Sequence, residues 1–301
     1  MEPLFTGCAT ALITPFKGGT IDYEALDRLV EEQITQGVDA LVAAGTTGEP
    51  ATMTWEEHIA VIRRVVEVAR GRVPVIAGTG SNSTREAIDA ARSAKDCGAD
   101  AQLVVTPYYN KTSQAGLIAH YNAVADSCDL PVIVYNVPSR TGISIAPETL
   151  QAICRHPNVI AVKEANPDVG QAIEKLRLCG GDAVFYSGND DLILPLIACG
   201  FQGVISVLSN VVPGETTRLA HAALEGRNAE AAQLQQRYQP LVSALFCETS
   251  PIPVKAAMAA LGRCQEELRL PLVPMQPATR QRLYAAMEDL GIGPMQTNEE
   301  R

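Results

Sequence analysis

Short apolar runs rich in β-branched residues alternate along this chain with longer stretches in which apolar side chains recur at helical spacing. The short runs fall at Ala11–Pro15, Ala40–Ala44, Pro74–Ala77, Leu103–Thr106, Pro131–Tyr135, Val159–Lys163, Ala183–Tyr186 and Gly203–Val207, and each reads as a strand. Between them lie amphipathic stretches such as Tyr23–Gln36, Glu56–Ala69, Thr84–Cys97, Gln114–Ser127 and Pro147–Cys154. Thr54-Trp55-Glu56-Glu57 and Ser83-Thr84-Arg85-Glu86 both fit a capping box at a helix start, and Gly37 and Gly98 stand just past a last turn. Eight strands alternating with helices predict an α/β fold whose parallel sheet closes into a (β/α)8 TIM barrel. The alternative is a doubly wound open sheet, but no Gly-x-Gly-x-x-Gly follows the first strand. The strand pattern ends near Gly226, so residues 1–226 form the barrel that carries the site, and 227–301 an appended C-terminal helical region with no apparent barrel role. Helices are expected there at 229–244, 254–261 and 278–290, and the polar tail 296–301 is expected to be disordered.

The polar residues gather at one end of these strands. Read in order, the C-terminal ends carry Thr14, Thr46-Thr47, Thr79, Thr106-Pro107-Tyr108-Tyr109-Asn110, Tyr135-Asn136, Lys163-Glu164, Ser187-Gly188-Asn189-Asp190 and Ser206. In a barrel that face holds the active site. Lys163 is the most informative of them. An amine facing a barrel interior is desolvated, and its pKa falls from about 10.4 toward the range where the neutral, nucleophilic form is populated. Such a lysine forms a Schiff base with a ketone or aldehyde. The bland reading is a lysine that snorkels to solvent or pairs with Glu164. Tyr135, on the preceding strand, can stand beside Lys163 and move protons. Thr46 and Thr47 offer hydroxyls and N–H groups to a carboxylate, and the Arg140 guanidinium on the next loop suits a carboxylate bidentately. Each also has a structural reading, as a satisfied turn residue or a surface arginine.

Composition narrows the partners. The 301 residues are 47% hydrophobic, enough for a large core, and the net charge of −10 argues against a nucleic-acid surface. No apolar run approaches the ~18 residues of a membrane span, and the N-terminus lacks a basic segment followed by an apolar one, so a cytoplasmic protein is expected. The eight cysteines are scattered, with no Cys-x-x-Cys and no metal-ligand grouping with the four histidines. They read as reduced packing residues, and no metal is expected.

Gly45-Thr46-Thr47-Gly48-Glu49, Tyr135-Asn136-Val137-Pro138, Lys163-Glu164 and Gly203-Val204-Ile205-Ser206 resemble the pyruvate-dependent class I aldolase-type lyases of the dihydrodipicolinate synthase/N-acetylneuraminate lyase superfamily. Thr106–Asn110, Val137–Gly142 and Pro251–Lys255 are most similar to its synthase branch, over essentially the whole chain. The resemblance implies that Lys163 forms an imine with pyruvate and that the derived enamine adds to L-aspartate-4-semialdehyde, in lysine and diaminopimelate biosynthesis. It further implies a proton relay of Thr46, Tyr135 and Tyr109, with Tyr109 contributed from a neighbouring subunit. It places Thr47 on the pyruvate carboxylate, Arg140 on the semialdehyde carboxylate, and Gly188 and Ile205 as main-chain contacts lining the lysine. No cofactor is implied beyond the lysine, and the assembly is expected to be a homotetramer, a dimer of dimers.

In relatives, end-product lysine binds at the tight dimer interface, and His58, Asn82, Glu86 and Tyr108 correspond to that site. Pro50 and Trp55 depart from the usual pattern there, so weak or absent feedback is expected. The bland reading of His58 is a solvated helix residue. Two other functions fit less of the chain. One is a sister aldolase for a 2-keto-3-deoxy sugar acid or hydroxyketoglutarate, against which Arg140 and Tyr109 argue. The other is a non-catalytic keto-acid-binding barrel, which has no need of the full relay.

Overall fold

A strand that is apolar on both faces must be covered on both, and the eight runs achieve this by closing on themselves. The structure, a computed structural model, describes residues 2–293. Its parallel strands are β1 (Gly7–Ala11), β2 (Ala40–Ala43), β3 (Val75–Gly78), β4 (Ala101–Val105), β5 (Val132–Asn136), β6 (Val159–Glu164), β7 (Val184–Ser187) and β8 (Gly203–Ser206). They form a closed barrel in which β1 pairs with both β2 and β8. Each strand is followed by a helix: α1 (Tyr23–Thr35), α2 (Trp55–Ala69), α3 (Thr84–Asp96), α4 (Gln114–Asp126), α5 (Pro147–Cys154), α6 (Val169–Cys179), α7 (Ile193–Ala198) and α8 (Pro213–Leu224). The expected (β/α)8 barrel is therefore present. The tail at 296–301 lies outside the described residues.

Side chains alternate between two environments, apart from a register shift between β5 and β6 at Val132/Ile133, where Ile160 and Ala161 both pack toward the lumen. Ala9, Ala11, Ala40, Val42, Ala101, Leu103, Ile133 and Ala161 pack with Tyr186 and Ile205 into the lumen. Their neighbours Leu41, Val104, Val134 and Val162 pack outward beneath the helices. Phe5, just ahead of β1, stacks on Tyr186 with ring centroids 4.1 Å apart, and the Tyr186 hydroxyl donates to the Phe5 carbonyl (2.7 Å).

Two local expectations change. The first strand runs over Gly7–Ala11 rather than Ala11–Pro15. Its residues are small and weakly β-forming, which hides it in the sequence. Leu12 beyond it still donates its N–H to the Val42 carbonyl (3.1 Å), and the chain leaves the ladder at Ile13, whose N–H donates to Asn210 Oδ1 (3.1 Å). The Thr54/Glu57 capping box forms in both directions. The second box forms only by half: the Ser83 hydroxyl accepts from the Glu86 N–H (3.4 Å), while the Glu86 carboxylate turns to the Ser81 hydroxyl (2.8 Å).

The C-terminal helices α9 (Asn228–Leu245), α10 (Ile252–Ala260) and α11 (Pro277–Asp289) match the expected spans within two residues. The structure gives them a role that the strand pattern does not show. Leu234, Tyr238, Leu241, Val254, Met258 and Met287 share one apolar core with Ile193, Leu208, Val211 and Leu219 of the barrel. Lys255 of α10 reaches back to Glu49, with Nζ 2.5 Å from Oε1 and both side chains buried. Its ammonium also lies 4.0 Å from the Phe16 ring centroid, and the Arg269 guanidinium lies 4.4 Å from the same centroid. Arg269 in turn donates to Glu57 twice (2.6 Å each) and to the Thr52 carbonyl (3.0 Å). The short hairpin Phe16–Lys17/Thr20–Ile21 turns on Gly18-Gly19, a turn signal the strand reading passed over, and Glu267 accepts from the Gly18 N–H (2.7 Å). The Thr46–Thr52 segment above β2 is thus held from the far end of the chain.

Lys255→Met leaves the Glu49 carboxylate buried without its counter-ion, so unfolding in urea should show a loss of about 3–5 kcal/mol. A loss below ~1 kcal/mol would show that the pair is not holding this segment.

Candidate active site

The β5–β6 ladder pairs Tyr135 with Lys163 and Asn136 with Glu164. Alternation sends the first pair into the lumen and the second outward. Lys163 is 5% exposed, and its Nζ lies 4.4 Å from the Tyr135 ring centroid. Glu164 does not pair with it. The Glu164 carboxylate accepts from Asn136 Nδ2 (2.7 Å), the Asn166 N–H (2.8 Å) and Lys175 Nζ (2.7 Å), all outside the barrel wall. Both bland readings of Lys163 therefore fail: it neither snorkels to solvent nor has Glu164 as a partner. Burial pulls its pKa down from 10.5 to about 8, with Asp190 opposing the shift and the Arg140 charge adding to it. Burial pushes the Tyr135 phenol up to about 12, against the pull of Arg140 and the Thr46 hydroxyl. At neutral pH the pair is a proton-bearing phenol beside an amine close to its own titration.

Around them opens a cavity of about 500 Å³, lined among others by Thr46, Thr47, Tyr135, Arg140, Lys163 and Gly188. Thr46 and Thr47 sit on a one-turn 3-10 helix (Thr46–Gly48) between Ala44 and Glu49, both non-glycine residues at positive φ (51° and 58°). Backbone held in that region marks a loop over-determined by its surroundings, and the Glu49–Lys255 pair is one of the contacts that hold it. Gly188 allows the close approach of its neighbours. A Cβ there would stand 2.6 Å from the Ala165 Cβ and 3.1 Å from the Lys163 Cε, so any side chain would press on the lysine.

The remaining expected residues are placed unevenly. Arg140 is exposed at the rim, on the one-turn helix Pro138–Thr141, and its Nη2 donates to the Ser250 carbonyl (3.1 Å). Ile205 is buried in the lumen core but is not among the residues lining the cavity. Tyr109 is 91% exposed, at φ 67°, and does not line this chain's own cavity. A second cavity, of about 550 Å³, brings together Pro50, Trp55, His58, Glu86 and Tyr108, while Asn82 stands apart with its carbonyl accepting from Asn110 Nδ2 (2.9 Å). His58 is not a solvated helix residue: it is half-buried, its Nε2 hydrogen-bonds the Gly78 carbonyl (2.8 Å), and burial lowers its pKa.

The profile of the dihydrodipicolinate synthetase family matches residues 4–290. The chain belongs to this family. Among its relatives, the 4-hydroxy-tetrahydrodipicolinate synthase of Geotalea uraniireducens is 48% identical over 289 residues, covering 96% of this chain and 100% of that one. The enzyme of the same name from Nitratidesulfovibrio vulgaris is 50% identical over 289 residues, covering 96% and 99%. The crystal structure of dihydrodipicolinate synthase from Aquifex aeolicus superposes with a TM-score of 0.95 at 44% identity, covering 97% and 100%. The dihydrodipicolinate synthetase from Cyanidioschyzon merolae, solved with lysine bound, gives 0.93 at 40% identity over 97% and 100%.

Two features of the site in this dihydrodipicolinate synthetase family member escape a reading of the sequence. Asp190 is buried; its Oδ2 accepts from the Val207 and Leu208 N–H groups (3.1 and 2.9 Å), and burial raises its pKa. It appears in the sequence only as one more polar residue at a strand end. Phe246, Glu248, Thr249 and Ser250, from the α9–α10 connection, form part of the cavity wall, and nothing in strand periodicity could place them there. Among the described residues no group of three or more His, Cys, Asp and Glu side chains is arranged to hold a metal, and no helix is long and apolar enough to cross a membrane.

Because the neutral amine is the attacking form, covalent capture at Lys163 should accelerate about tenfold per unit as pH rises toward 8 and level off above it. Stopped-time borohydride trapping across about pH 6–10 reads this directly; a profile with its midpoint near 10.4 would show an ordinary surface-like lysine.

Proposed function

We infer that this chain is a class I aldolase-type lyase that condenses pyruvate with L-aspartate-4-semialdehyde to 4-hydroxy-tetrahydrodipicolinate, the reaction for which its relatives are named. The observation that carries it is a buried Lys163, without a carboxylate in ion-pair contact, beside Tyr135 in a polar cavity. The neutral amine attacks C2 of pyruvate, and Tyr135 gives a proton to the departing hydroxyl, so that water leaves and an imine forms. The protonated imine is the electron sink: loss of a proton from the pyruvate methyl group gives an enamine. The enamine carbon attacks the aldehyde carbon of the second substrate, forming the new carbon–carbon bond, and its aldehyde oxygen takes up a proton. The amine of that substrate then attacks the imine carbon, closing the ring and releasing Lys163. The lysine itself supplies the electron sink, so the route calls on no metal or organic cofactor.

Within this reading Thr47 holds the pyruvate carboxylate through its hydroxyl and N–H at the base of the cavity, and Gly188 and Ile205 present main chain around the lysine. Arg140, at the rim, takes the carboxylate of the semialdehyde, which enters second. Thr46 and Tyr135 carry the proton relay to Tyr109. Its exposure fits a side chain that completes the cavity of a neighbouring copy in a homotetramer built as a dimer of dimers, acting in the cytoplasm.

Borohydride with pyruvate should place a pyruvate-derived adduct on Lys163 and leave Lys163→Ala unlabelled. Arg140→Ala should keep the adduct while the KM for the semialdehyde rises by about 10–100-fold, as for a lost charge-assisted bidentate contact. An adduct on another residue, or Arg140→Ala with an unchanged semialdehyde KM, would sink the respective assignment. The shared site is tested by mixing. Lys163→Ala and Tyr109→Phe proteins, each inactive alone, should regain activity when their subunits are exchanged, because a mixed pair holds one site with both residues intact. A mixture that stays inactive although mass spectrometry shows mixed oligomers would place Tyr109 in its own subunit's site.

A further inference from the structure

The ion pair behind the nucleophile takes no part in the chemistry above. Lys175 stands on α6 with no exposed surface, and its Nζ donates to Glu164 Oε2 (2.7 Å). The other oxygen, Oε1, accepts from Asn136 and the Asn166 N–H, and Asn136 Oδ1 accepts from the Ile145 N–H (3.0 Å). A carboxylate next in sequence to Lys163 is thus bonded to an amide next in sequence to Tyr135, across the same β5–β6 register that sets Tyr135 beside Lys163. In a low-dielectric wall a lone carboxylate one residue from the amine would favour the ammonium form and oppose nucleophilicity.

We propose that Lys175 is a positioning residue for the imine chemistry: by pairing with Glu164 on the outer face of the barrel, it cancels the negative charge that would otherwise bear on Lys163 through the wall. The proposal rests on Lys163 being the nucleophile. The charged and titratable groups around these residues are few. Tyr135, Asp190 and Arg140 face Lys163 from the lumen and rim. On the outer side Tyr135 also feels Glu164, and Cys179, with Cys154 of α5 and Asp182 beyond it, lies near Lys175. None of these outer groups is a second cation that could replace Lys175 at Glu164.

The experiment is the pH profile of pyruvate capture by borohydride on Lys163, with folding followed by circular dichroism. In Lys175→Met the midpoint should rise by about one unit, with capture at neutral pH slowed about tenfold. In the double variant Glu164→Gln/Lys175→Met, where neither charge remains, it should return to that of the unaltered chain. A merely structural role would lower yield or stability without moving the midpoint. A folded Lys175→Met with an unmoved midpoint overturns the proposal. If Lys175→Met does not fold, Glu164→Gln decides: the now unpaired ammonium should lower the midpoint, and an unchanged value overturns the proposal equally. Absence of any adduct on the unaltered protein overturns the reading of Lys163 itself, whereas adducts with unshifted midpoints overturn only the role of Lys175.

Discussion

Closure of the eight-stranded ladder leaves each strand residue two places to be, the lumen or the layer beneath the helices, and everything chemical in this molecule follows from that choice. Tyr135 and Lys163 fall on the inner side of their register, Asn136 and Glu164 on the outer. A slip of one residue in β6 would exchange the lysine for the glutamate and remove the buried amine from the cavity. The two adjacent pairs are therefore a single device. The outer pair is locked by hydrogen bonds that solvent does not reach, and the inner pair inherits its placement without a direct bond of its own.

The molecule buries three lysines among its described residues, Lys163, Lys175 and Lys255, and treats them in two ways. Lys175 and Lys255 each meet a buried carboxylate, Glu164 and Glu49. Breaking either pair is costly because a charge is left in a poor solvent. Lys163 alone has no carboxylate in ion-pair contact, and burial lowers its affinity for a proton with the Asp190 charge opposing. Burial lowers the Lys255 pKa as well, against the pull of Glu49, so what sets Lys163 apart is the missing direct partner and not the penalty itself.

Much of this was legible in the residues. Strand count, helix spans and the polar strand ends come from local periodicity and capping chemistry, which act over a few positions. Lys163, Tyr135, Thr46 and Thr47 were legible because the barrel rule maps strand ends onto one mouth. What stayed hidden depends on contacts between distant segments. The small residues of Gly7–Ala11 make a strand only because β2 and β8 flank them on both sides. Glu86 leaves its capping box for Ser81, and His58 turns from solvent to a carbonyl 20 residues away. The cavity wall at 246–250 and the Glu49–Lys255 pair join positions about 200 residues apart, beyond the reach of any window read along the chain.

The anchoring of the Thr46–Thr52 segment by Lys255 and Arg269 also sets an order of events during synthesis. The threonines emerge from the ribosome early and the residues that hold them emerge late. A nascent barrel with all eight strands already made still lacks one wall of its cavity and the cation beneath its threonine loop. The buried amine can gain its finished surroundings only after Arg269 has been made, well after the last barrel strand.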